Sequence, residues 1–238
     1  MAEPNPNGDP IGSEIFFQMT EPNPKGPVNS SRGIISNQLE TSLDFLKTAW
    51  EGDLGVSLTE DLWSDAQESV HTASICARHG LIQFRVLHRL HYSKVKLSKM
   101  YPNIDPMCDR CKAFPATLGH MFWSCPNLFN FWNSIFKALS DILGYKVDPD
   151  PVMAVLGVPG DNSPLRGRDS TIARFVTLLA RRLILLNWKQ AQSPTFNALI
   201  NDVMQHLKLE KLRFTLRGSI EKFFKTWQPF INYVEARR

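Results

Sequence analysis

The sequence predicts a mainly α-helical protein interrupted by a small loop module built on three cysteines and one histidine. Three observations lead there. Apolar residues recur every three to four positions over most of the chain beyond residue 35, the alternation expected of strands is nearly absent, and Cys108, Cys111, His120 and Cys125 fall within 18 residues. With 43% hydrophobic residues, 15 Phe and 6 Trp over 238 positions, the chain can bury a substantial core.

Residues 1–35 are rich in Pro, Asn, Gly and Ser and carry a short echo, Glu3-Pro-Asn-Pro6 and Glu21-Pro-Asn-Pro24. That composition buries too little apolar surface to offset its ordering entropy, so a disordered leader is expected. Residues 36–105 read as an N-terminal helical region. Leu39, Leu43, Leu46 and Trp50 recur at helical spacing behind Ser36, with Gly52 as a stop. Thr59-Glu60-Asp61 offers a cap and favourable charge to a second helix through Leu62, Trp63, Ala66 and Val70. A third is expected from near Gly80, turning Leu81, Phe84, Leu87 and Leu90 inward. If continuous, it would align Arg78, Arg85, Arg89, Tyr92, Lys96 and Lys99 on one face until Tyr101-Pro102 ends it.

The cysteine module occupies residues 106–127, and a C-terminal helical region occupies 128–238. Leu128 to Leu143 reads as a helix closed by Gly144. Pro149, Pro151, Pro159 and Pro164 mark a loop-rich connection in which Val152 to Val158 is the best strand candidate. Two long helices are expected over residues 170–190 and 195–217, and a last one from Ser219 towards Val234. The apolar stretch Ile172 to Trp188 contains Arg174, Arg181 and Arg182. Charges in mid-span are costly in hydrocarbon, so it reads as a buried helix rather than a membrane span. With no segment ordered like a signal peptide, an intracellular protein is expected, nuclear or cytoplasmic and not secreted.

The formal charge of +4 hides an asymmetry. Residues 1–77 hold 3 Lys/Arg against 12 Asp/Glu, residues 78–112 hold 8 against 2, and residues 206–238 hold 8 against 3. A basic segment just before a cysteine cluster suits a polyanion partner, although solvated helix faces would carry the same charges.

Cys108, Cys111, His120 and Cys125 spell C-x2-C-x8-H-x4-C. The first pair is at knuckle spacing, where a tight turn aims both thiolates at one point. The His and last Cys can converge from a short helix or turn. Three thiolates and one imidazole complete a tetrahedron suited to Zn2+, and a full ligand set leaves no open position for activated water, so the ion is expected to be structural. Cys76 and His79 form a C-x2-H pair that reads as helix neighbours rather than ligands. Within the loop, Phe114, Phe122 and Trp123 could stack on unpaired bases or form the small core that the ion staples; for Trp123 the core is the stronger reading.

The runs His88-Arg-Leu-His-Tyr-Ser-Lys-Val-Lys-Leu-Ser-Lys-Met-Tyr-Pro102, Cys108-Asp-Arg-Cys111 and Leu118-Gly-His-Met-Phe-Trp-Ser-Cys-Pro126 resemble one family's tail. So do Ser74-Ile-Cys-Ala-Arg-His-Gly-Leu-Ile-Gln83, Leu178-Leu-Ala-Arg-Arg-Leu-Ile-Leu-Leu-Asn-Trp-Lys189, Leu207-Lys-Leu-Glu-Lys-Leu-Arg-Phe214 and Lys225-Thr-Trp-Gln-Pro-Phe230. The family is the reverse transcriptase polyprotein of LINE-type (non-LTR) retrotransposons, at its C-terminal end beyond the polymerase. The resemblance implies that Cys108, Cys111, His120 and Cys125 are zinc ligands, and that the region helps bind the element's RNA during target-primed reverse transcription.

The endonuclease and polymerase of that polyprotein lie upstream of the matching region. The sequence has no Tyr/Phe-x-Asp-Asp box and no Asp-Asp pair at all. Asp148-Pro149-Asp150 sits in a proline-rich stretch where two-metal chemistry lacks a rigid scaffold, so a polymerase is not expected. No Gly-rich phosphate loop or nucleophile elbow is present. His71, His79, His88, His91 and His206 read as surface or capping residues on helices. The expected function is therefore non-catalytic: a zinc-dependent nucleic-acid-binding module for RNA or single strands, with no small-molecule substrate evident. Arg85, Arg89, Lys94, Lys96, Lys99, Arg110 and Lys112 would form a backbone clamp, and Tyr92 and Trp123 would supply rings. The alternatives are a protein-interaction scaffold, with the helices beyond residue 170 offering an apolar groove, or a retroelement remnant that keeps a structural zinc.

Overall fold

The computed structural model describes residues 44–237. The expected leader, Ser36, Leu39 and Leu43 lie outside these residues. The fold is mainly α, and among the described residues there is no strand, only an isolated antiparallel bridge between Met107 and Pro115.

Helix α1 covers residues 44–54, running through Gly52 to end at Gly55, whose φ of +67° takes the left-handed conformation of a helix stop. Its Trp50 is fully buried and donates from Nε1 to the carbonyl of Leu87 at 3.1 Å. Helix α2, Glu60–Thr72, starts where the sequence places it: the Thr59 hydroxyl accepts from the amide of Leu62, and Leu62, Trp63, Ala66 and Val70 are buried.

The expected continuous third helix does not form. Helix α3 spans Ala77–Leu87, and the chain then turns through Arg89, which adopts a left-handed φ of 53°. A separate α4, Lys94–Met100, begins at Ser93, whose side chain caps the amide of Lys96. The inward register also differs. His79, Gln83, Val86 and Leu87 face the core, while Leu81, Phe84 and Leu90 are exposed. The reason lies in buried polar partners that no hydrophobic pattern reveals.

Helix α5, Phe129–Leu143, is stopped by Gly144 at φ 79°. Val152 to Val158 is not a strand. Asp150 caps the amide of Val152, Pro151 occupies the first turn, and α6 runs Pro151–Val155 wrapped in core on all sides. A short run of continuous apolar residues satisfies either geometry, and here the Asp-Pro start decides it. Helices α7 (Gly167–Leu186), α8 (Phe196–Leu216) and α9 (Ile220–Glu235) complete the architecture.

Helix α7 is the central element, packing against α3, α5, α6, α8 and α9. It buries Ile172, Ala173, Phe175, Val176, Leu178, Leu179, Ala180 and Ile184. It also buries Arg181 completely. That guanidinium donates to the carbonyls of Ala154 (2.8 Å) and Met153 (3.3 Å) and to Gln83 Oε1 (2.7 Å), tying α3, α6 and α7 together, and burial pushes its pKa down to about 9. Gly157 closes this network at φ +77°, where a Cβ would stand 2.9 Å from Arg181 Nη2. One buried cluster runs from Trp50 through Cys108, Cys125, Phe136 and Val155 to Val234, so the cysteine module shares its core with the helices before and after it. Among the described residues no helix is long and apolar enough to cross a membrane.

Candidate metal centre

Residues 106–117 fold into a knuckle. The amide of Cys108 donates to the Phe114 carbonyl and that of Lys112 to the Cys108 carbonyl, both at 2.9 Å; Lys112 takes a left-handed φ of 56° to make the turn. Amides of Ala113 and Phe114 point at the Cys111 thiol. The Thr117 hydroxyl accepts from the His120 amide at 3.1 Å, starting a helical turn that widens into a π-helical turn over His120–Ser124. Insertion of an extra residue in such a turn redirects side chains, a device common at functional sites.

These two elements bring the four residues together. One ligand atom from each of Cys108, Cys111, His120 and Cys125 lies within 4.8 Å of every other. Cys108 Sγ and Cys125 Sγ are 3.9 Å apart, and Cys111 Sγ is 3.4 Å from His120 Nε2. The cysteines are free thiols, with Cys108 and Cys125 buried and Cys111 at the rim. The group can hold a metal ion.

Its electrostatics favour a cation. Burial pushes the Cys125 thiol up to about 12 against the pull of the Asn127 amide, and the neighbouring thiols add to it. Burial raises Cys111 too, yet the amides of Ala113 and Phe114 and the hydrogen bonds from Cys108 and Cys125 outweigh it and leave it lowered. Burial, then Arg110, depresses His120, which keeps its ring neutral as ligation requires. Three thiolates this close repel one another unless a cation sits among them.

No protein-family model matches the chain. The resemblance drawn from the sequence rests on the quoted residues alone.

The other sequence-predicted site residues separate into two groups. Arg110 is buried: its Nη2 donates to the Met121 carbonyl at 2.8 Å, while Nε and Nη1 have no hydrogen-bond partner. Burial lowers its pKa and the three cysteine sulfurs raise it, so its charge serves the cluster rather than a ligand in solvent. Arg89 pairs with Asp53, stacks 4.4 Å over the Trp50 ring and donates to the Ala49 carbonyl at 3.3 Å. Lys94 pairs with Asp109 at 2.9 Å, as does the more exposed Lys112. Trp123 is half-buried, with its ring 5.9 Å from that of Trp132, and Phe122 is fully buried. These rings form core.

Arg85, Lys96 and Lys99 are exposed and make no ion pair among the described residues. Lys96 lies 5.0 Å over the exposed Tyr92 ring. Helix α4 rests on the metal loop through the Val95 amide, which donates to the Ala116 carbonyl, and through the Lys94–Asp109 pair. Phe114, also exposed, lies with its ring 5.9 Å from that of His120.

Sequence reasoning missed Asp53 and Gly119. Asp53 Oδ2 accepts from the Gly119 amide at 3.3 Å, directly before His120, and a Cβ on Gly119 would meet Asp53 Cβ at 2.8 Å. The glycine itself was the available signal. The Cys76–His79 pair gathers no metal-ligand set among the described residues. Contrary to its reading as a surface residue, His79 is buried, with Nδ1 3.0 Å from Ser74 Oγ and its ring centroid 4.6 Å from that of His206.

Proposed function

We propose that the chain is a non-catalytic nucleic-acid-binding module, preferring RNA or single strands, whose surface is shaped by a structural Zn2+ on Cys108, Cys111, His120 and Cys125. A tetrahedral zinc with sulfur at about 2.3 Å and nitrogen at about 2.1 Å requires S···S near 3.8 Å and S···N near 3.6 Å. The 3.9 Å and 3.4 Å separations fit that requirement. A Cys3His site with bound zinc carries a net charge of −1, which the buried Arg110 offsets. With four protein ligands there is no position for activated water, which favours a structural role over hydrolysis.

The observation that carries the nucleic-acid reading is the exposed Lys96 lying 5.0 Å over the exposed Tyr92 ring, at the helix that rests on the metal loop. Lys96, Lys99 and Arg85 carry charge, and Tyr92, Tyr101 and Phe114 are exposed aromatics. Cations tracking a backbone and rings stacking on bases are the two components of single-strand binding. Arg89, Lys94 and Arg110 support the fold, so the clamp is smaller than the sequence alone suggested. The resemblance to LINE-type reverse transcriptase tails points to the same partner.

A mobility-shift titration with single-stranded RNA at low and physiological salt tests this. Neutralising three phosphates predicts a log–log salt slope near −2, about 0.7 per contact on a single strand. Lys96→Glu with Lys99→Glu should abolish most of the binding while leaving circular dichroism unchanged. Salt-independent binding, or full binding by the double variant, contradicts the proposal.

A further inference from the structure

Among the described residues, α8 leaves one face without a partner. Its inward face is Leu199, Val203, Leu207 and Glu210, all buried. The Glu210 carboxylate is used internally: Oε1 accepts from the Ser74 hydroxyl and the Ile75 amide. The outward face carries Leu209, Leu212 and Leu216, exposed to 47%, 54% and 79%. Their i, i+3, i+7 spacing stacks them into one seam, the arrangement by which two helices interlock.

Cations flank the seam. Lys208 lies on one side of it and Arg213 on the other, with Arg217 beyond its end, while Lys211 sits further round the helix with its Nζ 5.1 Å over the Phe224 ring. None of them makes an ion pair among the described residues, and the one acid in this part of α8, Glu210, points inward. Leucines at solvent gain nothing from phosphates and offer no ring for base stacking, so this surface is not an extension of the nucleic-acid face. A second copy of the chain would set Lys208 and Arg213 against their own kind, which repels.

We infer that the Leu209–Leu212–Leu216 seam of α8 is a docking site for an acidic amphipathic helix of a partner protein. The partner's apolar stripe packs between the three leucines, and its flanking carboxylates pair with Lys208 and Arg213. The leucines supply affinity, and the cations select an acidic partner and set its orientation.

The test uses the full chain and a fluorescent synthetic helix with Leu at the seam positions and Glu at the flanking ones. A matched helix with Lys in place of Glu is the control. Anisotropy should show saturable binding of the Glu helix at micromolar concentrations, weakening as salt rises, and at least about tenfold weaker binding of the Lys helix. The L209Q/L212Q/L216Q variant should lose binding at least about tenfold with its thermal midpoint unchanged, because the three side chains face solvent in the free chain. Equal binding of both helices, or no difference between variant and parent, overturns the inference. So does a seam-dependent gain of affinity for phosphatidylserine vesicles without peptide binding, which would make the partner a lipid surface. Seam-dependent self-association in sedimentation would overturn it in favour of a second copy.

Discussion

Arg89 and Asp53 form an ion pair that links the turn between α3 and α4 to the end of α1, and the same carboxylate accepts from the amide that precedes His120. One contact thus fastens an arginine, a helix end and a metal-ligand turn. A basic residue that looked like a phosphate contact in the sequence is a structural fastener.

Replacing Arg89 with Ala removes the pair and the stacking on Trp50, and leaves Asp53 part-buried beside Gly119. Stability should fall by about 1–3 kcal/mol in urea unfolding. RNA affinity, measured well below the melting temperature, should change less than twofold. A large affinity loss at unchanged stability would return Arg89 to the clamp.

Gly119→Ala places a Cβ against Asp53, 2.8 Å from its Cβ and 2.9 Å from its carbonyl oxygen. Backbone must shift to accept it, and the shift falls on the residue next to His120. The expected outcome is a loss of about 1–3 kcal/mol with weaker zinc retention against a chelator. Wild-type values for both would show that the contact relaxes freely.

Arg181→Ala should be the most damaging of the charged-residue substitutions. It strips donors from the Ala154 carbonyl and Gln83 and opens a cavity in the helix interface, costing about 3–5 kcal/mol. Equilibrium unfolding measures it, with the solvent-facing Lys96→Ala within about 0.5 kcal/mol of wild type as control. Tolerance of Arg181→Ala would mean that the buried network contributes little.

Burial depresses His79 from 6.5 to about 4, with His206 and Arg182 adding to the effect and Asp202 opposing it. The unfolded chain takes up this proton near pH 6.5, whereas the folded chain resists it until about pH 4. The contribution to stability is therefore intact above pH 6.5 and is lost as pH falls from there towards 4, with a slope of at most about 1.4 kcal/mol per pH unit. Urea midpoints for the parent and His79→Gln, taken between pH 7 and 5, should show the parent losing stability more steeply. Parallel curves would contradict it. Metal release on acidification affects both chains alike and cancels in the comparison.

Much of this architecture was legible where local chemistry is self-sufficient. The Thr59 cap, the Gly144 stop and the long periodic helices α7 and α8 announce themselves within a few residues, and the ligand spacing of Cys108, Cys111, His120 and Cys125 does the same. What stayed hidden depended on partners distant in sequence. Gln83 and His79 point inward because Arg181 and Ser74 meet them there, so the apolar pattern placed Leu87 correctly but turned the exposed Leu81, Phe84 and Leu90 inward. Ser93 is a good cap, yet the basic periodicity across it concealed the break between α3 and α4. Val152 to Val158, apolar throughout, has no periodicity with which to choose helix over strand. Arg89, Lys94 and Arg110 have the composition of a clamp, and only the positions of Asp53, Asp109 and Met121 show them occupied.

Zinc stoichiometry by native mass spectrometry, on protein expressed with ample zinc, tests the central claim most directly. One zinc ion per chain is expected, lost in Cys111→Ser together with the cooperative unfolding transition. Metal-free protein that unfolds cooperatively at the same midpoint as zinc-supplemented protein would contradict it.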